Sequence, residues 1–144
     1  MVEDTATRDA MGDLNNSGVD GDTRSVLDAA CMAELHGLDP DGKTQLVRRV
    51  LAAYQSSLVK QLEQKGPARA GADWDAVARV AHTLKSSSAN IGALAFSALC
   101  GDIERLLRAG DSAAALPLLP PFDAEAARVA AAVARELRVL EAAA

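Results

Sequence analysis

Apolar residues recur at three- and four-residue steps along most of this chain, and the breaks in that rhythm divide it into helices. Leu27, Cys31, Met32 and Leu35 mark a first short helix, with Ser25 and Asp28 spaced for a capping box and His36-Gly37 as its expected left-handed end. Asp39-Pro40 reads as the start of a second helix, and Leu46, Val50, Ala53, Tyr54, Leu58 and Leu62 as its buried stripe. Gly66-Pro67 is expected to stop it near Lys65. After a loop from Ala68 to Ala72, Asp73 caps a third helix with Val77, Ala81, Leu84, Ser88 and Ile91 on its buried edge. Asn90-Ile91-Gly92 breaks the pattern. A fourth helix then carries Phe96, Leu99, Cys100, Ile103, Leu106 and Leu107. Gly110-Asp111 recaps a short helix from Ser112 to Leu116, which Pro117 and Pro120-Pro121 interrupt. Asp123 is expected to cap the last helix, with Val129, Val133, Leu137 and Leu140 as its stripe.

Within the third helix, His82-Thr83-Leu84-Lys85 places an imidazole and an ammonium three residues apart, close enough on a helix for the side chains to meet. His82 falls about 140° from the centre of the buried edge and Lys85 about 80°, so the histidine points away from the helix's own apolar seam. Ala78, Arg79, Ser86 and Ala89 surround it, small groups apart from the arginine, which would let a partner come close. Ser97, Gly101, Glu104 and Arg108 form a flanking stripe on the fourth helix. A tight antiparallel turn would bring that stripe beside the histidine, with Gly101 leaving room and Glu104 reaching across.

Composition narrows the picture further. The chain has 144 residues, enough for one domain with a real core; 49% are hydrophobic and only 3% aromatic, the balance of an all-α bundle. Residues 1–24, with Glu3, Asp4, Asp9, Asp13, Asp20 and Asp22 against Arg8 and Arg24, are expected to form a flexible acidic tail or linker ahead of a domain spanning 25–142. The net charge of −5 carries no basic footprint for nucleic acid. No apolar run approaches the about 18 residues of a membrane span, and no signal peptide is evident, so a soluble cytoplasmic domain is expected. Cys31 and Cys100 sit in apolar helical patterns and read as reduced core thiols, ahead of a disulfide or a metal pair. The two histidines and two cysteines lack zinc-ligand spacing. Ser86-Ser87-Ser88 lies on the histidine's own helix without a nucleophile elbow, and no phosphate-cradling glycine loop is present.

The run His82-Thr83-Leu84-Lys85-Ser86-Ser87-Ser88-Ala89-Asn90-Ile91-Gly92-Ala93, with Cys100 and Glu104 downstream, resembles the histidine-containing phosphotransfer (HPt) domains of multistep two-component phosphorelays. The likeness runs from about Val26 to Leu140. It implies an up-and-down antiparallel four-helix bundle with a short N-terminal helix across one end. It also implies that His82 accepts a phosphoryl group from the aspartyl phosphate of one receiver domain and passes it to the aspartate of another. Lys85 would stabilise the arriving charge and Glu104 would orient the imidazole. No cofactor of the chain's own is expected, because the receiver would supply Mg²⁺. The implied partners are receiver domains of response regulators or of a hybrid sensor kinase, docking on Arg79, Thr83, Ser86 and Ala89 and on apolar groups of the first two helices. A monomer without kinase activity of its own is expected. One departure stands out: the family usually has glycine where this chain has Ser86, a change expected to be tolerated and to narrow the choice of partners. Two other readings remain open at this stage. One is a chemotaxis-kinase phosphoacceptor domain fed directly by an ATP-dependent kinase domain. The other is a non-catalytic helical interaction module.

Overall fold

A computed structural model describes residues 26–143. The tail expected over residues 1–24 and the capping role given to Ser25 lie outside the described residues. Among the described residues six helices follow in order: α1 (Ala29–Gly37), α2 (Leu46–Ala70), α3 (Trp74–Asn90), α4 (Leu94–Arg108), α5 (Ser112–Ala115) and α6 (Leu119–Ala143), with a 3₁₀ turn at Leu116–Leu118 between the last two. The four long helices α2, α3, α4 and α6 pack in that cyclic order, each against the next and α6 back on α2, as an up-and-down antiparallel bundle. No strand occurs among the described residues.

In α3, α4 and α6 the core is built largely from the stripes the periodicity marks; in α2 it is not. Leu51, Leu58, Leu84, Ile91, Phe96, Ile103, Val129 and Val133 are fully buried, and the Phe96 and Phe122 rings meet at 5.1 Å between centroids. In α2 the buried face is Val47, Leu51, Tyr54, Leu58 and Lys65. Leu46, Val50 and Leu62 are therefore only half-covered and Ala53 is exposed, so the true stripe is rotated from the expected one. One buried polar pair joins α2 to α3: the Tyr54 and Ser88 hydroxyls lie 2.8 Å apart, one donating to the other inside the bundle. Burial pushes the Tyr54 phenol up to about 12.

Several ends differ from expectation, each for a local reason. The helix-capping signal at Asp39-Pro40 does not start α2. Residues 39–45 form turns instead, and Asp39 caps the helix from seven residues upstream, its carboxylate accepting from the N–H groups of Leu46 (3.2 Å) and Thr44 (3.5 Å). The hydrogen bond from the Leu46 N–H, more than any other interaction, holds the Asp39 carboxyl below the usual range. Gly66-Pro67 does not stop α2, which continues to Ala70. Part of the steric bar against helix before proline comes from the preceding residue's Cβ, which Gly66 lacks. Similarly, α6 begins at Leu119 with Pro120 and Pro121 in its first turn, where the missing N–H groups cost nothing. Asp123 is thus inside α6, not its cap, and its carboxylate reaches the largely buried Lys65 at 2.7 Å, with the ammonium 5.4 Å above the Phe122 ring.

The short helix α1 has no fully buried residue. Val26 and Leu27 ahead of it are buried, whereas Cys31, Met32 and Leu35 are only half-covered. Gly37 lies within the helix and does not form the expected left-handed cap; the helix ends at Leu38, still right-handed. What seats α1 is the turn between α3 and α4. Gly92 has φ +82°, and the Ala93 N–H reaches the Ser88 carbonyl (2.9 Å) while the Gly92 N–H reaches Ala89 (3.1 Å), a Schellman closure of α3. The Gly92 carbonyl then accepts from the Asp28 N–H at 2.8 Å, and Asp28 caps α1 through the Cys31 N–H at 3.0 Å. A Cβ on Gly92 would stand 2.9 Å from Cys31 Cβ and 3.0 Å from Asp28 N, so the approach requires glycine twice over.

Both cysteines are free thiols, Cys100 buried and Cys31 half-buried. Burial pushes the Cys100 thiol up to about 12, and the Asp28 carboxylate beside Cys31 raises that one as well. A thiol reagent such as Ellman's should therefore modify Cys31 slowly in the native protein and Cys100 only at the rate of unfolding. Equal, rapid reaction of both would contradict this packing.

Candidate functional site: an exposed imidazole held by a shared carboxylate

The α3–α4 hairpin assembles the site. Asp73 starts α3 by accepting from the Ala76 N–H (3.2 Å), and the apolar edge Val77, Ala81, Leu84, Ser88 turns inward, all buried. That orientation leaves His82 on the outside, its side chain 59% exposed. Ala78, expected beside it, is buried instead. Arg79, Thr83, Ser86 and Ala89 are exposed along the same side of α3.

The three-residue turn Ile91–Ala93 folds α4 back along this face, and its flanking stripe meets α3 step by step. The Ser97 hydroxyl donates to the Lys85 carbonyl at 2.7 Å. Gly101 lies against the Lys85 stem. Glu104, with only 14% of its side chain exposed, places Oε2 at 2.9 Å from His82 Nδ1 and Oε1 at 3.0 Å from Lys85 Nζ. Arg108 Nε stands 3.6 Å from Glu104 Oε2. One carboxylate thus serves the imidazole and two cations. Burial alone would raise the Glu104 carboxyl, but the hydrogen bonds from Lys85 and His82 and their charges outweigh it and hold the group below the usual glutamate range.

Chemically, a carboxylate at Nδ1 fixes the proton there and leaves the lone pair on Nε2, on a ring whose side chain is 59% exposed. The Lys85 ammonium is held by the other oxygen of the same carboxylate. Among the described residues no group of three or more His, Cys, Asp or Glu side chains could hold a metal ion. The sequence located His82, Lys85 and Glu104, which the structure brings together. It gave no sign of the Tyr54–Ser88 pair, because each residue reads as an ordinary member of its helix's buried stripe.

A four-helix bundle that presents an imidazole in this way belongs to a recognisable class, the modules that carry a phosphoryl group on histidine. The chain is a member of the Hpt domain family, whose sequence model matches residues 48–141. Among solved structures it is similar to histidine-containing phosphotransfer protein B (HptB) from Pseudomonas aeruginosa PAO1, with 24% identity and a TM-score of 0.69 over 78% of this chain and 95% of that one. That likeness bears on the fold. No match is found among curated protein sequences. As an Hpt domain the chain is a histidine phosphocarrier, an intermediate of a phosphorelay that works with receiver domains of response regulators or hybrid kinases. Among the described residues no helix is long and apolar enough to cross a membrane.

Proposed function

We propose that His82 is the phosphocarrying residue, taking a phosphoryl group from the aspartyl phosphate of one receiver domain and delivering it to an aspartate of another. The observation that carries this is the 2.9 Å contact between His82 Nδ1 and Glu104 on an otherwise exposed ring. The Nε2 lone pair attacks phosphorus, the P–O bond to the receiver's aspartate breaks, and the freed carboxylate leaves with the bonding electrons. The proton on Nδ1 stays with the ring, where Glu104 balances the positive charge that the new N–P bond creates. Lys85 offsets the charge on the phosphoryl oxygens, since such transfer depends on positioning and electrostatics. The Mg²⁺ and acidic pocket belong to the receiver, so the chain needs no nucleotide and no cofactor of its own.

The docking surface in this reading is Arg79, Thr83, Ser86 and Ala89, continued by half-buried Leu35 and by Leu38, which is 72% exposed at the end of α1. The protein acts as a monomer, because α2, α3, α4 and α6 fill one core between them. Two free cysteines and receiver-domain partners suit the reducing cytoplasm.

Incubation with a pre-phosphorylated receiver tests the reading: label should appear on this chain as an acid-labile, alkali-stable phosphoramidate and move to a second receiver. Labelling that required ATP and a kinase domain would overturn it. Glu104→Ala should shift the His82 ring ¹⁵N signals toward a mixture of tautomers and slow transfer; an unchanged tautomer would remove Glu104 from its role. The Glu104 carboxyl titrates below its unfolded value. What the network contributes to stability is accordingly present at neutral pH and lost only as pH falls through the depressed folded value.

A further inference from the structure

We propose that Gly101, assisted by Ser97, is a positioning residue for Lys85, holding the groove on α4 in which the lysine stem lies. This rests on the reading that Lys85 stabilises the transferring phosphoryl group. Successive turns of α4 meet the lysine along its whole length. Ser97 Oγ binds its backbone carbonyl at 2.7 Å, Gly101 faces its stem, and Glu104 Oε1 takes its ammonium at 3.0 Å. A Cβ on Gly101 would stand 3.2 Å from Lys85 Cδ and 4.0 Å from Cγ.

The backbone gives no reason for a glycine here. Gly101 sits in the body of α4 and is not among the residues with positive φ. In a helix interior glycine is the poorest choice after proline, so its presence needs another cause. The adjacent lysine stem supplies one. A free lysine side chain samples many rotamers and spreads its charge over a wide volume. Laid in the Gly101 groove, the stem confines the ammonium to the Glu104–His82 pair, where the phosphoryl charge arrives. Larger side chains at 101 would lift the stem away from α4.

The test uses the full chain with Gly101→Ala and Gly101→Gln, both better helix formers than glycine. Neither should lower the melting temperature, which separates positioning from folding. Transfer from a phosphorylated receiver should fall with bulk, and Gly101→Gln should be about tenfold slower than wild type, given how steeply transfer depends on placement. The Glu104 carboxyl, followed by ¹³C NMR, should titrate higher in Gly101→Gln as its lysine partner is displaced. In a Lys85→Ala background Gly101→Gln should change nothing further. Wild-type transfer and an unmoved Glu104 titration in Gly101→Gln would overturn the proposal, as would equal slowing in the Lys85→Ala background. A wild-type chain that takes no phosphoryl group from any receiver would break the phosphocarrier reading instead, and the Glu104 titration would still decide the claim about Gly101.

Discussion

His82→Gln is expected to abolish phosphoryl transfer altogether while leaving the bundle intact. The imidazole is the nucleophilic nitrogen this face presents, Lys85 being held as a cation by Glu104, and a glutamine amide has no lone pair basic enough to form an N–P bond. Stability should change little, within about 0.5 kcal/mol, because the ring lies outside the core and an amide can still donate to the Glu104 carboxylate. Acid-labile label from a phosphorylated receiver, counted beside the circular-dichroism melt of both proteins, reads the two effects separately. Retained label on the variant would move the phosphoryl site elsewhere. A collapsed melt would mean that His82 has a structural duty the exposed ring does not suggest.

The second large effect concerns folding. Gly92→Ala must place an L side chain at φ +82° and drive its Cβ to 2.9 Å from Cys31 Cβ. The left-handed backbone alone costs about 1–2 kcal/mol, and relieving the clash means moving α1 off the α3–α4 turn. Gly42→Ala is the internal control. Gly42 has φ +70° but nothing within 4 Å of a Cβ, so it carries the backbone cost without the clash. Gly92→Ala should therefore lower the denaturation midpoint clearly more than Gly42→Ala, and amide exchange in α1 should rise. Equal losses in the two variants would show that α1 is not seated by this glycine. Because α1 borders the exposed face of α3, a displaced α1 should also weaken receiver binding.

How much of this was legible in the sequence depends on the kind of contact involved. His82, Lys85 and Glu104 could be found because helical spacing puts the first two on one face and a tight hairpin brings the third across. Periodicity alone fixes such relations. Helix ends were harder, since the same residues serve several purposes. Asp39 followed by Pro40 has the form of an N-cap, yet Asp39 caps α2 across a loop. Pro67 has the form of a terminator, yet the helix runs past it, the glycine before it easing the steric bar. Asp123 was legible as a cap and acts instead as the partner of Lys65, 58 residues away, a pairing set by how α2 and α6 lie together and by nothing local. Gly92 was visible as a break in the helix; that it receives α1 was not, because the contact belongs to a third element.

The hydroxyl pair between Tyr54 and Ser88 bears on more than satisfied hydrogen bonds. Apolar ridges can slide a little past one another, but a buried hydroxyl that gives up its one partner is left dry and unsatisfied. The pair therefore keys α3 to α2 like a pin through a shaft, fixing the angle at which the helix is turned about its own axis. At a surface radius of about 5–6 Å, a rotation of about 10° carries a side chain roughly 1 Å, a displacement on the scale to which group transfer responds. The aim of the imidazole, on the far side of the same helix, is thus set from inside the protein by two residues that never meet the phosphoryl group.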